Sequence, residues 1–400
     1  MKKIKKICIL SNGKLPVPIT EGGAVENLID MMAECYVTGN YNFSLDIISI
    51  YSEKSKQLSD SIQKIKYIYI KTSPFISYLY AKISNRCIRY FRFDPIFLLS
   101  YLRKATSIIK KNQYDIIIIE NKASYVEYLS RHTNAKIIPH LHNDIINNTT
   151  FRNQQITSKS TLILTVSDFI KKRVETVQNL STPVVTIPNV IDIKKFMFSE
   201  REIQLSYRKR TEMGFTDDDI VCAFIGRVHP TKGVDKLIEA ISQVGLPNLK
   251  LMIVGGSFFA NSKDTPYVKK LKELSDKIKD RIKFTGYIDY NDIPLYYGIS
   301  DIIVVPSQWD DPAPLTVFEA QASGKPLIAS DSGGIKEYVS PNVPLIRRDS
   351  SFVDNLANEI MKLAKDKALR TEIGKKNKEY IARHDKRIYL DRIVNAIYNH

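Results

Sequence analysis

Long apolar runs are missing from this 400-residue chain: none approaches 18 residues, so no segment is expected to span a bilayer. The basic start MKKIKKICILSNGK has only ICIL as an apolar core and no small-residue cleavage site after it, which argues against a secretory leader. Cysteine is scarce. Cys8, Cys35, Cys87 and Cys222 are scattered, with no CxxC pair and no metal-ligand spacing, and read as reduced core residues. A cytoplasmic protein without disulfides is therefore expected. Glycine and proline, 16 and 17 residues, are too few for a low-complexity chain.

What is present is globular: 44% hydrophobic and 26% charged residues. Four hundred residues exceed what one core usually organises, so two domains of similar size are expected. The net charge of +16 is uneven: residues 1–190 carry 26 Lys and Arg against 14 Asp and Glu, the remainder 33 against 29. A basic first half attracts nucleic acid or anionic lipid. No nucleic-acid motif is recognisable, and the charge is grouped with aromatics over 71–111, where nine Lys and Arg and eight aromatics meet one acid. Lys82, Arg86 and Arg89 share one helical face, and Ile83, Cys87 and Tyr90 the next. Such a helix suits an anionic membrane surface, or packs on a sheet with its basic side in water.

Short apolar strands at about 43–50, 65–70, 115–119, 135–139, 161–166 and 183–187 alternate with helical stretches after the opening strand KICIL. That alternation predicts an α/β fold with a parallel sheet covered on both faces. Gly22-Gly23 stands directly before an apolar-periodic helix, either as a tight turn or as a backbone approach to an anion. His140 and His142, two apart at the end of KIIPHLHND, would share a strand face. Two such histidines can form half of a metal site, but no third ligand of obvious spacing follows. They are also placed where open α/β sheets bind ligands, or are satisfied by loop backbone.

The strand pattern restarts at IVCAFIGR, which puts a domain boundary near 190: 1–190, 191–385, and a C-terminal helix from 386 to 400 returning to the first domain. In GRVHPTKGVDKL, Gly226 ends a strand, Arg227 follows, and Lys232-Gly233 opens a helix. Two cations flanking a tight turn can grip one diphosphate. Gly255 ends the next strand, and backbone groups at Tyr287-Ile288, after a third, can meet a base edge. The densest stretch is WDDPAPLTVFEAQASGKPLIASDSGG, 309–334. Pro314 precedes a helix whose first N–H groups, at Leu315 and Thr316, offer an anion site. Glu319, one turn on, can reach hydroxyls held beside that anion, and Asp311 lies before the helix at the same mouth.

The string GR-x3-TKG, FTGYI, D-P-x-P-x4-EA-x-A-x-GKPLIAS-x-SGG resembles the retaining glycosyltransferases of family 4, the glycosyl transferases group 1 of the GT-B fold. EGGAVENLI, HLHND, the VSDF stretch and IPNVID extend the likeness through the first half, most like members that build capsule, exopolysaccharide or lipopolysaccharide. The resemblance implies two Rossmann-like domains facing a cleft, an acceptor domain and a nucleotide-sugar donor domain, with a UDP-sugar as donor and a glycan or lipid-linked saccharide as acceptor. By it Arg227 and Lys232 bind the donor diphosphate, Glu319 the ribose, and Leu315-Thr316 a phosphate. Asp311 matches the first acid of the family's E-x7-E pair, Gly22-Gly23 meets the diphosphate from the other domain, and His142, with His140, lies near the sugar. Asp311 is one methylene shorter than the usual Glu, Pro314 replaces a glycine, and IPNVID lacks the family's N-G-V glycine. Cations and amides at the leaving phosphate make a metal unnecessary, and no cofactor is expected. A nucleotide-sugar epimerase of the same architecture and a membrane-docked nucleotide-binding protein are the alternatives.

Overall fold

The computed structural model describes residues 5–20, 22–91, 99–256 and 265–400. Residues 92–98 of the basic stretch, the side chains of Arg89 and Tyr90, and Glu21 of EGGAVENLI lie outside the described residues.

The chain forms two units, Met1–Asn189 with Lys386–His400, and Val190–Asp385. The first is built on seven strands: β1 (Lys6–Leu10), β2 (Ser44–Ile50), β3 (Lys66–Ile70), β4 (Ile116–Glu120), β5 (Lys136–Leu141), β6 (Ile163–Thr165) and β7 (Val184–Thr186). All pair in parallel, in the order β3-β2-β1-β4-β5-β6-β7. Continuous runs such as IIIIE, buried at every position in β4, suit a sheet covered on both faces. The helix Ala24–Thr38 buries Leu28, Ile29, Met32, Cys35 and Tyr36. The C-terminal helix Tyr389–Asn399 packs against it, burying Tyr389, Leu390, Ile393 and Ile397, and Tyr41 donates to Asp391 at 2.8 Å.

The basic stretch divides. The helix Ser100–Asn112 buries Tyr101, Leu102, Ala105 and Ile109 in the unit's core, with Lys110 and Lys111 at the C-terminal end that the helix dipole favours. This part is therefore a helix packed on the sheet by its apolar face, with Arg103, Lys104, Lys110 and Lys111 exposed on the other. The helix Pro74–Phe91 differs: Phe75, Tyr78, Leu79 and Ile83 are exposed beside exposed Lys82 and Arg86. No helix among the described residues is long and apolar enough to cross a membrane.

The second unit repeats the plan with β8 (Ile220–Ile225), β9 (Leu249–Val254), β10 (Ile282–Gly286), β11 (Ile302–Val305), β12 (Leu327–Asp331) and β13 (Leu345–Arg347). They pair in parallel in the order β10-β9-β8-β11-β12-β13. Val234, Leu237, Ile238 and Ile241 on one helix, and Leu356, Ile360 and Leu363 on another, cover the strands Cys222–Phe224 and Leu251–Ile253. In each unit the first strand lies between its second and its fourth, so the connections part there. The carboxyl ends of those strands are where such sheets open a crevice for ligands.

Candidate active site

In the second unit the ends of β8 and β9 meet through their backbones. Gly226 donates its N–H to Val254 O at 2.9 Å, Val228 to Gly256 O at 2.9 Å, and Gly255 to Gly286 O at 3.0 Å. A Cβ on Gly255 would collide with Gly226 O, so only glycine allows this approach. A Cβ on Gly226 would in turn stand 3.8 Å from Thr316 Cγ2. The strand end therefore abuts the start of the helix Leu315–Ala322. Pro314 is its N-cap, and no side chain caps its first N–H groups. Those amides carry the positive end of the helix.

Arg227 is exposed just beyond β8, and Lys232 closes a short turn, Pro230–Lys232, that His229 caps from Thr231 N–H at 3.3 Å. Partial burial and the charges of Arg227 and Lys232 hold His229 below the usual imidazole range. The Lys232 ammonium pairs with Asp311 and lies 5.5 Å from the Trp309 ring centroid. Asp311 is buried and accepts also from Trp309 Nε1 at 3.2 Å and Ser307 Oγ at 3.4 Å, while Gly334 N–H holds its carbonyl at 2.9 Å. The sequence assigns Lys232 to a phosphate and Asp311 to a sugar; here they bind each other.

Glu319 is buried on the same helix, accepting from Tyr297 OH at 2.8 Å and Tyr290 OH at 3.1 Å. Burial raises its pKa, opposed by both tyrosines and the Lys195 charge. The Lys195 ammonium lies 3.9 Å from the Tyr290 ring centroid. Tyr287 and Ile288 follow β10 at the sheet's edge, with Tyr287 exposed. Trp309, Tyr290, Tyr297 and His229 have no place in the sequence-based reading. Only Trp309, inside the dense stretch, carried a signal.

The first unit gathers a separate cluster. Gly22 and Gly23 have φ of 87° and 119°, and the helix Ala24–Thr38 follows at once. The Glu26 carboxylate folds back over this turn, where a Cβ on Gly23 would strike it, and accepts from Asn12 Nδ2 at 3.3 Å. Burial pushes Glu26 up to about 6, opposed by hydrogen bonds to its own N–H and Asn12, with Glu120 adding a smaller push. At the ends of β4 and β5, Glu120 lies opposite His140 in register and is fully buried. His142 Nε2 is 2.7 Å from Glu120 Oε2, and His140 Nδ1 is 3.2 Å from the same oxygen and 3.3 Å from Oε1. Glu120 is the third member that the His140–His142 spacing does not reveal. Among the described residues these three are the group whose ligand atoms, all within 4.8 Å of one another, fit a metal ion. Their separations of 2.7–3.3 Å are those of hydrogen bonds.

Two Rossmann-like parallel sheets, with glycine turns and a helix start at the carboxyl ends of the central strands, define the GT-B class of glycosyltransferases. Family profiles agree: "Glycosyltransferase Family 4" matches residues 77–195 and "Glycosyl transferases group 1" matches 207–380. The chain belongs to this family and is a glycosyltransferase. It is 25% identical over 397 residues to the putative glycosyltransferase YtcC of Bacillus subtilis, covering 94% of this chain and 87% of that one. It is also 25% identical over 311 residues to the lipopolysaccharide 1,2-N-acetylglucosaminetransferase of Salmonella typhimurium, covering 76% and 77%. Among solved structures, Anabaena Alr3699/HepE, in complex with UDP and glucose, superposes with a TM-score of 0.76 at 19% identity, over 99% of this chain and all of that one.

Proposed function

We propose that the enzyme transfers a hexosyl residue, with retention, from a nucleoside-diphosphate sugar of the UDP class to a glycan or lipid-linked saccharide of a bacterial surface polysaccharide. The observation that carries this reading is the junction of Gly226 with Thr316: a strand end, followed at once by Arg227, meets the uncapped start of a helix, which is what a diphosphate needs. In this reading the second unit is the donor domain. The diphosphate competes with Asp311 for Lys232 and takes the Leu315-Thr316 amides, while Arg227, exposed, swings onto it. Glu319 keeps a second lone pair on each oxygen for the ribose hydroxyls. Asp311, released from Lys232, turns to the sugar. Gly226 and Gly255 let backbone approach the phosphates, and Pro314 fixes the helix entry. Charge growing on the leaving phosphate is met by preorganised donors, so no metal is required for departure. The leaving phosphate helps take the acceptor proton on the same face.

The first unit is assigned to the acceptor, with Gly22-Gly23 as a backbone turn for an anion and His142, backed by His140, as a sugar contact. The names of the relatives support a surface-glycan acceptor and a UDP-linked donor. The stripe Phe75, Tyr78, Leu79, Lys82, Ile83 and Arg86 is assigned to an anionic membrane surface, which places a lipid-linked acceptor within reach of a protein peripheral to the inner face. The test is a thermal-shift screen of nucleotide sugars followed by proton NMR of the transfer product. A ligand that binds only the folded form raises the melting point. UDP-sugars should raise it most, and the product should keep the donor's anomeric configuration. Inverted product, or stabilisation by no nucleotide sugar, overturns the reading; sugar interconversion with donor alone would point to the epimerase.

A further inference from the structure

Glu120 is a fully buried carboxylate that no motif marks. A carboxyl group in such surroundings stays ionised only where donors meet it. Burial alone would raise its pKa, but the His140 charge and hydrogen bonds from both imidazoles outweigh burial and hold Glu120 down to about 2. An ionised carboxylate only accepts hydrogen bonds. The ring nitrogens that face it, His140 Nδ1 and His142 Nε2, must therefore carry protons. Burial and the neighbouring His140 depress the pKa of His142, so this ring is neutral near pH 7. A neutral imidazole protonated at Nε2 has an unprotonated Nδ1. The His142 side chain keeps 6% exposure. His140 Nε2, by contrast, is buried without a partner among the described residues.

The main chain secures the same ring. Asn121 adopts a left-handed conformation, φ 51°, donates its N–H to His140 O at 2.9 Å, and accepts His142 N–H on Oδ1 at 3.2 Å. The dipeptide Glu120-Asn121 thus grips His142 by backbone and by side chain.

We propose that Glu120 is the positioning residue of the sugar site: by accepting from both rings it fixes His142 as the Nε2–H tautomer and presents Nδ1 as an acceptor for a sugar hydroxyl. This rests on the reading of His142 as a sugar contact. It makes the contact one-directional, so the sugar must offer a hydroxyl proton there.

The test uses the full chain labelled with 15N-histidine. Two-bond 15N–1H correlations report which ring nitrogen is protonated, with signals assigned from His140→Gln and His142→Gln. In the wild type His142 should be protonated at Nε2 and bare at Nδ1. Glu120→Gln replaces one accepting oxygen with an NH2 donor, and whichever way the amide turns that donor faces at least one of the two ring nitrogens. One of the two rings should then switch tautomer, and kcat for transfer should fall by about ten- to a hundredfold, with KM for donor moving less. A wild-type His142 bare at Nε2 overturns the proposal without need of a variant. So does a Glu120→Gln protein whose two rings keep the wild-type pattern. Added Zn2+ alone should leave both rings unchanged; loss of their protons would make the cluster a metal centre and sink the proposal. If the tautomers behave as stated but His142→Gln transfers at the wild-type rate, the hydroxyl contact and the functional reading behind it fail, while the hold of Glu120 on the ring stands.

Discussion

Two sheets of one strand order present opposite kinds of chemistry at the same edge. At the ends of β4 and β5 the polar groups are side chains, packed away from water and bonded to one another: Glu120, His140 and His142. At the ends of β8 and β9 there are glycines, and the polar groups are main-chain amides with the long cations Arg227 and Lys232 beside them. The first arrangement fixes direction, because a buried imidazole cannot turn without leaving a carboxylate unpaired. The second fixes only a place for charge, because Lys232 rests on Asp311 and can be bid away by a stronger anion. A rigid edge suits recognition of hydroxyls and an adaptable one suits capture of a diphosphate.

The most direct way to break this contrast is to remove the cations. Arg227→Ala and Lys232→Ala should each lower kcat/KM by about 10²–10³-fold, the scale of losing one preorganised donor to a developing anion. Steady-state transfer assays read this directly. Lys232→Ala has a second expected signature, since it leaves Asp311 buried without its ion partner. Trp309, the chain's one tryptophan, donates to that carboxylate, so its emission should change in Lys232→Ala and not in Arg227→Ala. Activity unchanged in both variants would end the assignment of charge capture to this edge.

The units differ in surface charge as well, and that difference lends itself to a smaller test. The first half holds 26 Lys and Arg against 14 acids, and its helix Pro74–Phe91 exposes Phe75 at 73% and Tyr78 at 59%. Exposed aromatics alternating with cations are expected to bind vesicles containing anionic lipid, less tightly as salt rises. Each Lys or Arg near such a surface contributes about 1 kcal/mol. Lys82→Glu with Arg86→Glu should therefore weaken cosedimentation with phosphatidylserine vesicles at least about tenfold. Thermal shift by nucleotide sugars should be unaffected, because neither residue lies on the second unit. Salt-independent binding, or none, would leave this stripe without its proposed role.

The second edge was far more legible in the sequence than the first. Glycine after an apolar run, proline before a helix and a carboxylate one turn in are short-range signals, and Gly226, Pro314, Leu315 and Glu319 could all be read from their immediate neighbours. The pairing of Lys232 with Asp311 spans 79 residues and could not. Glu120 and His140 meet because β4 and β5 align them in register, and register is a property of the assembled sheet. The same limit applies to Tyr290 and Tyr297, which reach Glu319 from 29 and 22 residues away. The basic stretch was hard to read for another reason: composition did not distinguish a helix that buries Tyr101 and Ile109 from one that exposes Phe75 and Tyr78.

Within the first unit the buried Glu120 and the half-buried Asp30 point in opposite pH directions, which gives the finest test of how its charges are held. Glu120 titrates at about 2 instead of 4.5, so the stability it contributes is present above pH 4.5 and is lost as pH falls toward 2. Asp30 is raised to about 7, chiefly by burial. Its Oδ2 accepts from the Ile19 N–H at 2.7 Å, and among the described residues its Oδ1 is buried without a partner. The folded state therefore holds the Asp30 proton longer than the unfolded chain does, and stability falls as pH rises from about 4 to 7. Glu26, raised to about 6, adds to that fall. His142 works the other way: its depressed pKa makes protonation below 6.5 easier in the unfolded chain, so stability also drops on that acid side. Thermal melts across pH 3–8 should show Asp30→Asn flattening the neutral limb while Glu120→Gln flattens only the acid one. At this domain size each kcal/mol moves Tm by about 2–4 °C, so both effects are small but resolvable. A neutral limb that survives Asp30→Asn unchanged would mean that the charge of Asp30 is met by water and that its burial does not govern the fold's response to pH.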